Sequence, residues 1–141
     1  MAKLKKLIIV GAGGHSKTCI EVAESSKKYK VIGLIDNKVN INGIFKNIKF
    51  FNEKSINAVL KITKNAHIGV GQIKSAKLRI KLFKKFKNKG FNFPVLIHSK
   101  AYISKYSCVG EGTLVGINSI INANCNIGHN TIINNKSLIE H

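Results

Sequence analysis

The chain has 141 residues, which is enough for one ordinary domain or two small ones. Its 24 Lys and Arg residues outnumber 6 Asp and Glu residues, and the formal net charge of +18 raises the question of nucleic-acid binding. Against that function, Arg79 is the only arginine, and the lysines are spread along the chain instead of being clustered. We therefore expect a solvated basic surface and no nucleic-acid partner.

Apolar runs and cysteines also narrow the class of protein. The run from Leu7 to Val10 is too short for the core of a signal peptide, and no run is long enough to span a bilayer. We therefore expect a cytoplasmic protein with no membrane partner. The three cysteines, Cys19, Cys108 and Cys125, are never closely paired, so neither a disulfide framework nor a metal site is expected.

Residues 4–36 have the pattern of a strand, a turn, a helix and a second strand. The apolar run from Leu7 to Val10 predicts a buried parallel strand, and the run from Val31 to Ile35 predicts its neighbour. Between them, the glycine-rich turn of residues 11–16 leads into a helix that we expect to extend through Lys28. Backbone N–H groups at such a turn can approach a phosphate or carboxylate closely, which indicates a nucleotide ligand.

Two residues leave the nature of that ligand open. The dinucleotide fingerprint needs a third glycine where Ser16 stands, so the indication of NAD is weak. Glycines that only form a tight turn between strand and helix are an alternative explanation. Asp36 follows the second strand, where an acidic residue often holds a ribose hydroxyl, but a solvated turn residue or a helix cap would also fit.

Residues 37–93 are predicted to complete the first domain. We expect a loop or short hairpin through Asn47, a brief helix from Ser55 to Ile62 and a third strand from His67 to Gly71. Pro94, the only proline, places the domain boundary near residue 93. Between Ser75 as cap and Gly90 as terminator, we expect a helix whose apolar face consists of Leu78, Leu82, Phe83 and Phe86.

From residue 97 onward an aliphatic residue recurs at every sixth position. A small residue follows four places after each aliphatic, and the place directly after it is usually Gly, Asn or Ser, which tolerate a tight bend. Neither a helix nor an ordinary strand has this period, whereas a parallel β-helix does. The aliphatic series is Ile97, Ile103, Val109, Val115, Ile121, Ile127, Ile133 and Ile139.

In such a coil each hexad supplies one short strand and one turn, and three hexads close one triangular turn. We expect the aliphatic side chains to point towards the axis, with the small residues beside them at the corners. Cys125 stands at a small-residue position and is expected to be a packed thiol. His98 lies at the first corner and is expected to be structural.

The motifs together resemble the bacterial sugar acetyltransferases of the NeuD/PglD type. They are Gly-Ala-Gly-Gly-His-Ser-Lys after the first strand, Leu-Ile-Asp-Asn after the second, and Gly-Val-Gly-Gln-Ile followed by an arginine. Gly-Phe and Ile-His then open the hexads. The resemblance implies a Rossmann-like α/β domain, residues 1–93, that binds a sugar or nucleotide-sugar, followed from residue 94 to 141 by the start of a left-handed parallel β-helix.

The same resemblance implies an activity and a set of site residues. The family transfers acetyl from acetyl-CoA to an amino or hydroxyl group of a sialic acid-type or nucleotide-linked sugar, and its coils assemble as a homotrimer. The catalytic base that it implies is His141, which ends the motif Leu138-Ile139-Glu140-His141; a frayed terminal residue is the alternative. The substrate-binding residues that it implies are Ala12, Gly13, Gly14, His15, Asp36, Asn37 and Gly71.

The hexads reach only two coils and a third before the motif ends. We therefore expect this chain to be the amino-terminal portion of a longer transferase, with most of the acetyl-CoA site outside it and its own activity open. Two other functions stay open. One is an NAD- or nucleotide-binding protein, and the other is a non-catalytic trimerisation module.

Overall fold

The computed structural model describes residues 2–38 and 47–141. Its amino-terminal part alternates strands and helices, as the glycine turn and the apolar runs predict. The elements are β1 (Lys5–Val10), α1 (Gly14–Ser25), β2 (Tyr29–Ile35), β3 (Lys49–Phe51), a 3₁₀ turn (Glu53–Ser55), α2 (Ile56–Ile62), β4 (Ala66–Ile68) and α3 (Lys77–Asn88).

The four strands form one parallel sheet in the order β3-β2-β1-β4. Strand β1 is central, and the side chains from Leu7 to Val10 are almost completely buried because helices cover both faces of the sheet. Ile8 and Val10 pack in one cluster with residues of α2 and α3, whereas Leu7 and Ile9 pack in a second cluster with α1. The predicted Rossmann-like α/β layering is confirmed in this part of the chain.

Several element bounds differ from those predicted. Helix α1 ends at Ser25, three residues before Lys28, because Lys27 adopts a left-handed backbone with φ 54°. Strand β4 ends at Ile68, three residues before Gly71, although Gly69 N–H still donates to the Val10 carbonyl at 2.7 Å. Strand β3 was not predicted, and the predicted loop from Asn37 falls partly on residues 39–46, outside the described ranges. In the described helices, no segment combines the length and apolarity that a membrane span requires.

The second half of the chain is a three-sided coil of two-residue strands. Strands on one side pair in parallel with residues 18 positions away, as Asn126 pairs with Cys108 in the previous turn. This offset confirms three hexads per turn. The strands are β5 (Leu96–Ile97), β6 (Tyr102–Ile103), β7 (Cys108–Val109), β8 (Leu114–Val115), β9 (Ile120–Ile121), β10 (Asn126–Ile127), β11 (Ile132–Ile133) and β12 (Leu138–Ile139).

The predicted aliphatic series lines the inside of this coil. Val115, Ile121 and Ile133 are buried, and the remaining members of the series are partly buried against them. A side chain that is regularly placed at every sixth residue therefore builds a continuous core along the axis.

The small residues form a ladder of hydrogen bonds between successive turns. Ser107 Oγ donates to the Asn122 carbonyl at 2.6 Å, and Thr113 Oγ1 donates to the Gly128 carbonyl at 2.8 Å. Cys125 Sγ continues the ladder, 3.2 Å from the carbonyl of Glu140, so the thiol is packed as predicted. The hydroxyls at these positions therefore form hydrogen bonds in addition to fitting the small space.

The tight bends of the coil do not occur at the places that the residue types predicted. Left-handed backbone occurs three places after the aliphatic residue, whereas the sequence pattern pointed to the place directly after it. At that earlier place glycine serves close approach: a Cβ on Gly110 would lie 2.6 Å from the Gly128 backbone, and one on Gly116 would lie 2.3 Å from Asn135 Oδ1. The left-handed corners are Gly112, Asn118, Asn124, Asn130 and Lys136, with φ between 52° and 71°.

One outer side of the coil joins the core of the sheet domain. Leu96 and Leu114 point outward from β5 and β8, yet both are buried in the cluster that contains Cys19 and Val22 of α1. The two halves of the chain therefore share apolar packing. A second outer side, β6-β9-β12, instead exposes apolar side chains: Tyr102 at 58%, Ile120 at 41% and Leu138 at 60%.

A candidate ligand cleft at the glycine turn

A cleft opens where the carboxyl ends of β1, β2 and β4 meet the start of α1. Parallel strands bring their carboxyl ends to one edge of the sheet, which is where ligands bind in open α/β folds. The cleft has a volume of about 380 Å³. All seven residues predicted to bind substrate line it: Ala12, Gly13, Gly14, His15, Asp36, Asn37 and Gly71.

Asp36 ties the end of β2 to the glycine turn. Its Oδ2 accepts a hydrogen bond from Ala12 N–H at 2.9 Å, and its Oδ1 accepts one from Lys38 N–H at 2.8 Å. Each carboxylate oxygen keeps further lone pairs for a ligand. The carboxylate thus has the local structural role that is expected of a turn residue. It also faces the cleft.

Glycine serves different purposes at different places in the turn. Gly11 has φ +104°, and a Cβ there would lie 2.8 Å from Val70 Cγ2, so the turn itself requires glycine. A Cβ on Gly13 or Gly14 would meet nothing within 4 Å. The protein's own packing therefore leaves open space beside the first N–H groups of α1, which have no partner within the helix.

A larger cavity, of about 740 Å³, adjoins the cleft. Its walls are the loop after β4, helix α3 and the coil corner at residues 129–134. His15 and Gly71 line both spaces, so the cleft and the cavity are neighbours. Arg79, Lys84 and His129 add basic groups to the wall, and a ligand that extends from the cleft towards the coil would meet positive charge.

Arg79 is the residue of this region that sequence reasoning missed. Its side chain is only 1% exposed, although guanidinium groups are almost never fully buried unless they are paired. It donates to backbone carbonyls of both halves of the chain: Ile68 and Val70 after β4, and Gly112 and Asn130 in the coil. Two signals were available: Arg79 is the only arginine among 24 basic residues, and it is the arginine that follows the Gly-Val-Gly-Gln-Ile motif.

Two histidines near Arg79 are held neutral. Burial, followed by the charge of Arg79, lowers the pKa of His15 to about 4. His67 is fully buried in β4, and burial, Arg79 and His15 together lower its pKa to about 3. In the described residues neither ring nitrogen of His67 makes a hydrogen bond, although the nearby Pro94 carbonyl opposes the lowering of its pKa.

His141 lies elsewhere, at the last described corner of the coil. It lines neither the cleft nor the adjoining cavity, and its side chain is 81% exposed. Its Nδ1 is 3.9 Å from Glu140 Oε2, and that carboxylate also accepts a hydrogen bond from Asn122 Nδ2 at 2.9 Å. Within one chain, the structure therefore separates His141 from the seven residues of the cleft.

No metal centre is evident in the part of the chain that the structure describes. Residues 2–38 and 47–141 contain no cluster of three His, Cys, Asp or Glu side chains with the spacing of a metal site. Cys19 and Cys125 are buried free thiols, and burial raises the pKa of Cys19 to about 12. His98, predicted to be structural, accepts a hydrogen bond at Nδ1 from Lys100 N–H.

Comparison with solved structures shows the same fold in sugar acetyltransferases. PerB from Caulobacter crescentus, in complex with CoA and GDP-perosamine, is 25% identical with a TM-score of 0.84, over 99% of this chain and 64% of that chain. A second structure is perosamine N-acetyltransferase from the same organism, a variant with one histidine replaced by asparagine, also in complex with CoA and GDP-perosamine. It is 24% identical with a TM-score of 0.84, over 97% of this chain and 63% of that chain. The acetyltransferase domain of PglB from Neisseria gonorrhoeae FA1090, in complex with acetyl coenzyme A, is 23% identical with a TM-score of 0.78, over 96% and 67%.

The chain thus spans under two thirds of the length of the first two of these proteins. The family model described as the PglD N-terminal domain matches residues 6–86. Because that match covers more than half of the 141 residues, the chain belongs to the PglD N-terminal domain family, within the NeuD/PglD-type sugar acetyltransferases that its sequence resembles.

Proposed function

We propose that this chain contributes the sugar-binding domain and the first coils of an acetyl-CoA-dependent acetyltransferase. Its acceptor is an amino or hydroxyl group of a nucleotide-linked or sialic acid-type sugar. One observation carries the proposal: the seven predicted residues line a single cleft whose neighbouring cavity is walled by a coil of hexads. The relatives that hold CoA with GDP-perosamine, or acetyl coenzyme A, combine the same two parts.

Within the cleft we assign the phosphate groups of the ligand to the glycine turn. The open space at Gly13 and Gly14 lets the first N–H groups of α1 face an anion, and the helix dipole favours negative charge there. Ala12 is engaged by Asp36, so the diphosphate would lie between Gly13 and His15. Asp36 and Asn37, at the end of β2, are assigned to the nucleoside.

The dinucleotide alternative is less favoured by the packing of Ser16. In a dinucleotide fold the third glycine allows close approach of helix and strand. Here Ser16 is fully buried, with its hydroxyl donating to the Gly13 carbonyl at 2.5 Å, and it already packs beside Gly69. Its side chain fills the space that the fingerprint keeps free.

For the transfer step we assign His141 as general base. A neutral imidazole takes the proton from the sugar amine or hydroxyl as that group attacks the thioester carbonyl. The carbon–sulfur bond then breaks, and the sulfur takes this proton from the imidazolium, so CoA leaves as the thiol. The carboxylate of Glu140 lies 3.9 Å from His141 Nδ1, and we assign it to orienting the imidazole ring. Because His141 does not line the cleft of its own chain, we assign it to the cleft of a neighbouring chain.

That assignment requires an oligomer, and we propose a homotrimer of left-handed β-helices that begin near residue 94. The apolar side β6-β9-β12 supports it, since the equivalent outward residues of β5 and β8 are covered by α1 whereas Tyr102, Ile120 and Leu138 are exposed. Contiguous exposed apolar side chains mark interaction sites.

Ligand binding by this chain tests the proposal directly. We expect UDP-N-acetylglucosamine or GDP-mannose to raise the melting temperature, because a ligand that binds only the folded state stabilises it, and NAD to have no effect. Isothermal titration then gives the affinity. If NAD stabilises the protein and neither nucleotide-sugar does, the dinucleotide alternative replaces this proposal. Release of CoA thiol from acetyl-CoA with amino-sugar acceptors tests the transfer step.

A further inference from the structure

The guanidinium of Arg79 joins the ligand cleft to the coil. Nη1 donates to the Ile68 carbonyl at 2.8 Å and to the Val70 carbonyl at 2.9 Å, both in the segment that leaves β4. Nε donates to the Asn130 carbonyl at 2.9 Å, and Nη2 lies 3.4 Å from the Gly112 carbonyl. One side chain therefore bonds to two segments that are distant in sequence.

On the coil side, the two acceptors are equivalent corners of successive turns. Gly112 and Asn130 both have left-handed backbone, with φ 71° and 52°, and they are one full turn apart. Asn130 Nδ2 also donates back to the Arg79 carbonyl at 3.4 Å. Arg79 thus contacts two stacked corners, which defines the orientation of the coil against α3 and not only its position.

On the cleft side, the two acceptors flank Gly69. A Cβ on Gly69 would lie 2.5 Å from Ile9 Cγ2 and 3.0 Å from Ser16 Cβ, so this residue sits directly against β1 and the start of α1. Two residues later, a Cβ on Gly71 would lie 3.3 Å from His15 Cβ. Holding this segment therefore holds the wall of the cleft that meets His15.

The chemistry of the contact needs an arginine. Within the described residues Arg79 has no carboxylate partner, so its buried charge is compensated by carbonyl dipoles alone. A guanidinium presents five donors in a rigid planar fork, whereas a lysine presents three donors from a single atom. A lysine would keep the charge but could not reach carbonyls of both segments in the same way.

We propose that Arg79 is a positioning residue for the sugar ligand, because it fixes the wall of the cleft at Gly71 and His15 against the two coil corners. The proposal deepens the proposed function and rests on it for the identity of the ligand. A ligand that extends from the cleft into the adjoining cavity contacts both segments that Arg79 joins.

The test compares two substitutions in α3. Arg79→Lys keeps the charge and removes the fork, and Phe86→Leu is the matched control because Phe86 is fully buried on the same helix but lines neither the cleft nor the cavity. Both variants should melt at a lower temperature. At a temperature where both are folded, we expect Arg79→Lys to bind UDP-N-acetylglucosamine or GDP-mannose about tenfold more weakly than wild type, and Phe86→Leu to bind it as wild type does.

Amide hydrogen exchange without ligand supplies a readout that does not depend on the proposed function. We expect faster exchange in Arg79→Lys at residues 69–71 and 129–131 together, and not in Phe86→Leu. If wild type binds neither nucleotide-sugar, the nucleotide-sugar form of the proposed function fails and exchange alone decides the role of Arg79. Unchanged affinity, or exchange no faster than in Phe86→Leu, would overturn it. If Arg79→Lys does not fold, exchange in wild type decides: residues 69–71 and 129–131 should open together with the same opening free energy, and separate opening of the two segments would overturn the proposal.

Discussion

A single carboxylate connects the second strand to the glycine turn, and its two oxygens hold two backbone N–H groups. We predict that Asp36→Asn weakens nucleotide-sugar binding by about tenfold to a hundredfold, since hydrogen bonds to charged groups contribute about 1.5–3 kcal/mol. One amide oxygen also cannot satisfy both Ala12 and Lys38 as a carboxylate does. Isothermal titration measures the affinity.

The control for Asp36→Asn is Glu24→Gln, which removes one negative charge from an exposed side of α1. It should leave the affinity unchanged. Equal loss in the two variants would mean that net charge, and not the carboxylate in the cleft, governs binding.

Buried His67 makes the stability of the protein depend on pH. Its pKa is about 3 when folded and 6.5 in the unfolded chain, so between these values the unfolded state takes up a proton that the folded state does not. Stability therefore falls by about 1.4 kcal/mol per pH unit as the pH drops below 6.5, and His15 acts in the same direction. We predict that His67→Leu reduces the loss of unfolding free energy between pH 7 and pH 5 by about 2 kcal/mol.

Urea unfolding at the two pH values measures this difference. Val59→Ala serves as the comparison, because it removes buried apolar atoms without a titrating group, and it should lower stability equally at both values. A pH dependence in His67→Leu as steep as in wild type would show that other groups carry the acid sensitivity.

The residues of the site were predictable to different degrees. Ala12 to His15 and Asp36 could be predicted to lie together in one cleft because a glycine turn and a strand end are local patterns whose geometry follows from the chain itself, while their role in binding stays a prediction. Arg79 and His67 were not, because their role comes from burial between segments that are distant in sequence. A period or a motif cannot indicate which carbonyls will surround a side chain.

At the scale of elements, close packing of successive coil turns places different demands on equivalent glycines. A Cβ on Gly110 would lie 2.6 Å from backbone atoms of Gly128 and His129, whereas one on Gly128 would meet only Thr131 Oγ1, at 3.8 Å. We predict that Gly110→Ala lowers the free energy of unfolding by about 1–3 kcal/mol because backbone must shift to admit the methyl group. Gly128→Ala is the matched control, and its effect should stay within about 0.5 kcal/mol.

Denaturant unfolding of both variants measures these values. The two variants make the same substitution at equivalent positions of successive turns, so they differ in how closely the neighbouring turn approaches. Equal destabilisation would show that the turns are not packed as closely as the structure indicates.

The elements of the coil were predicted better than its corners. A period of six follows from the strand and turn of each hexad, so the aliphatic positions could be read directly from the chain. Gly, Asn and Ser occur both at the left-handed corners and at the places of close approach, and composition does not separate these two demands. Strand β3 was missed because three residues, Lys49–Phe51, are too few to show a period.

At the scale of the whole molecule, the prediction of a boundary near residue 93 does not describe how the halves meet. Leu96 and Leu114 complete a core with α1, and Ser99 N–H donates to Ser25 Oγ at 3.2 Å. The six-residue period does not indicate whether an outward-facing residue of a hexad is covered by another element. The same holds for the exposed side, β6-β9-β12.

Tyr102, Ile120 and Leu138 form an exposed apolar row on that open side, and Ile120 lies at its centre. A charged side chain at the centre of an apolar interface is buried without a partner when the chains associate. In a cyclic trimer each chain contributes the same surfaces, so one substitution introduces the charge at all three interfaces. We therefore predict that wild type elutes as a trimer and that Ile120→Glu elutes as a monomer in size-exclusion chromatography with light scattering.

Asn126→Glu adds the same charge to an exposed strand residue on a different side of the coil and should remain trimeric. A wild-type monomer would refute the proposed assembly, and a trimeric Ile120→Glu would place the interface on another surface.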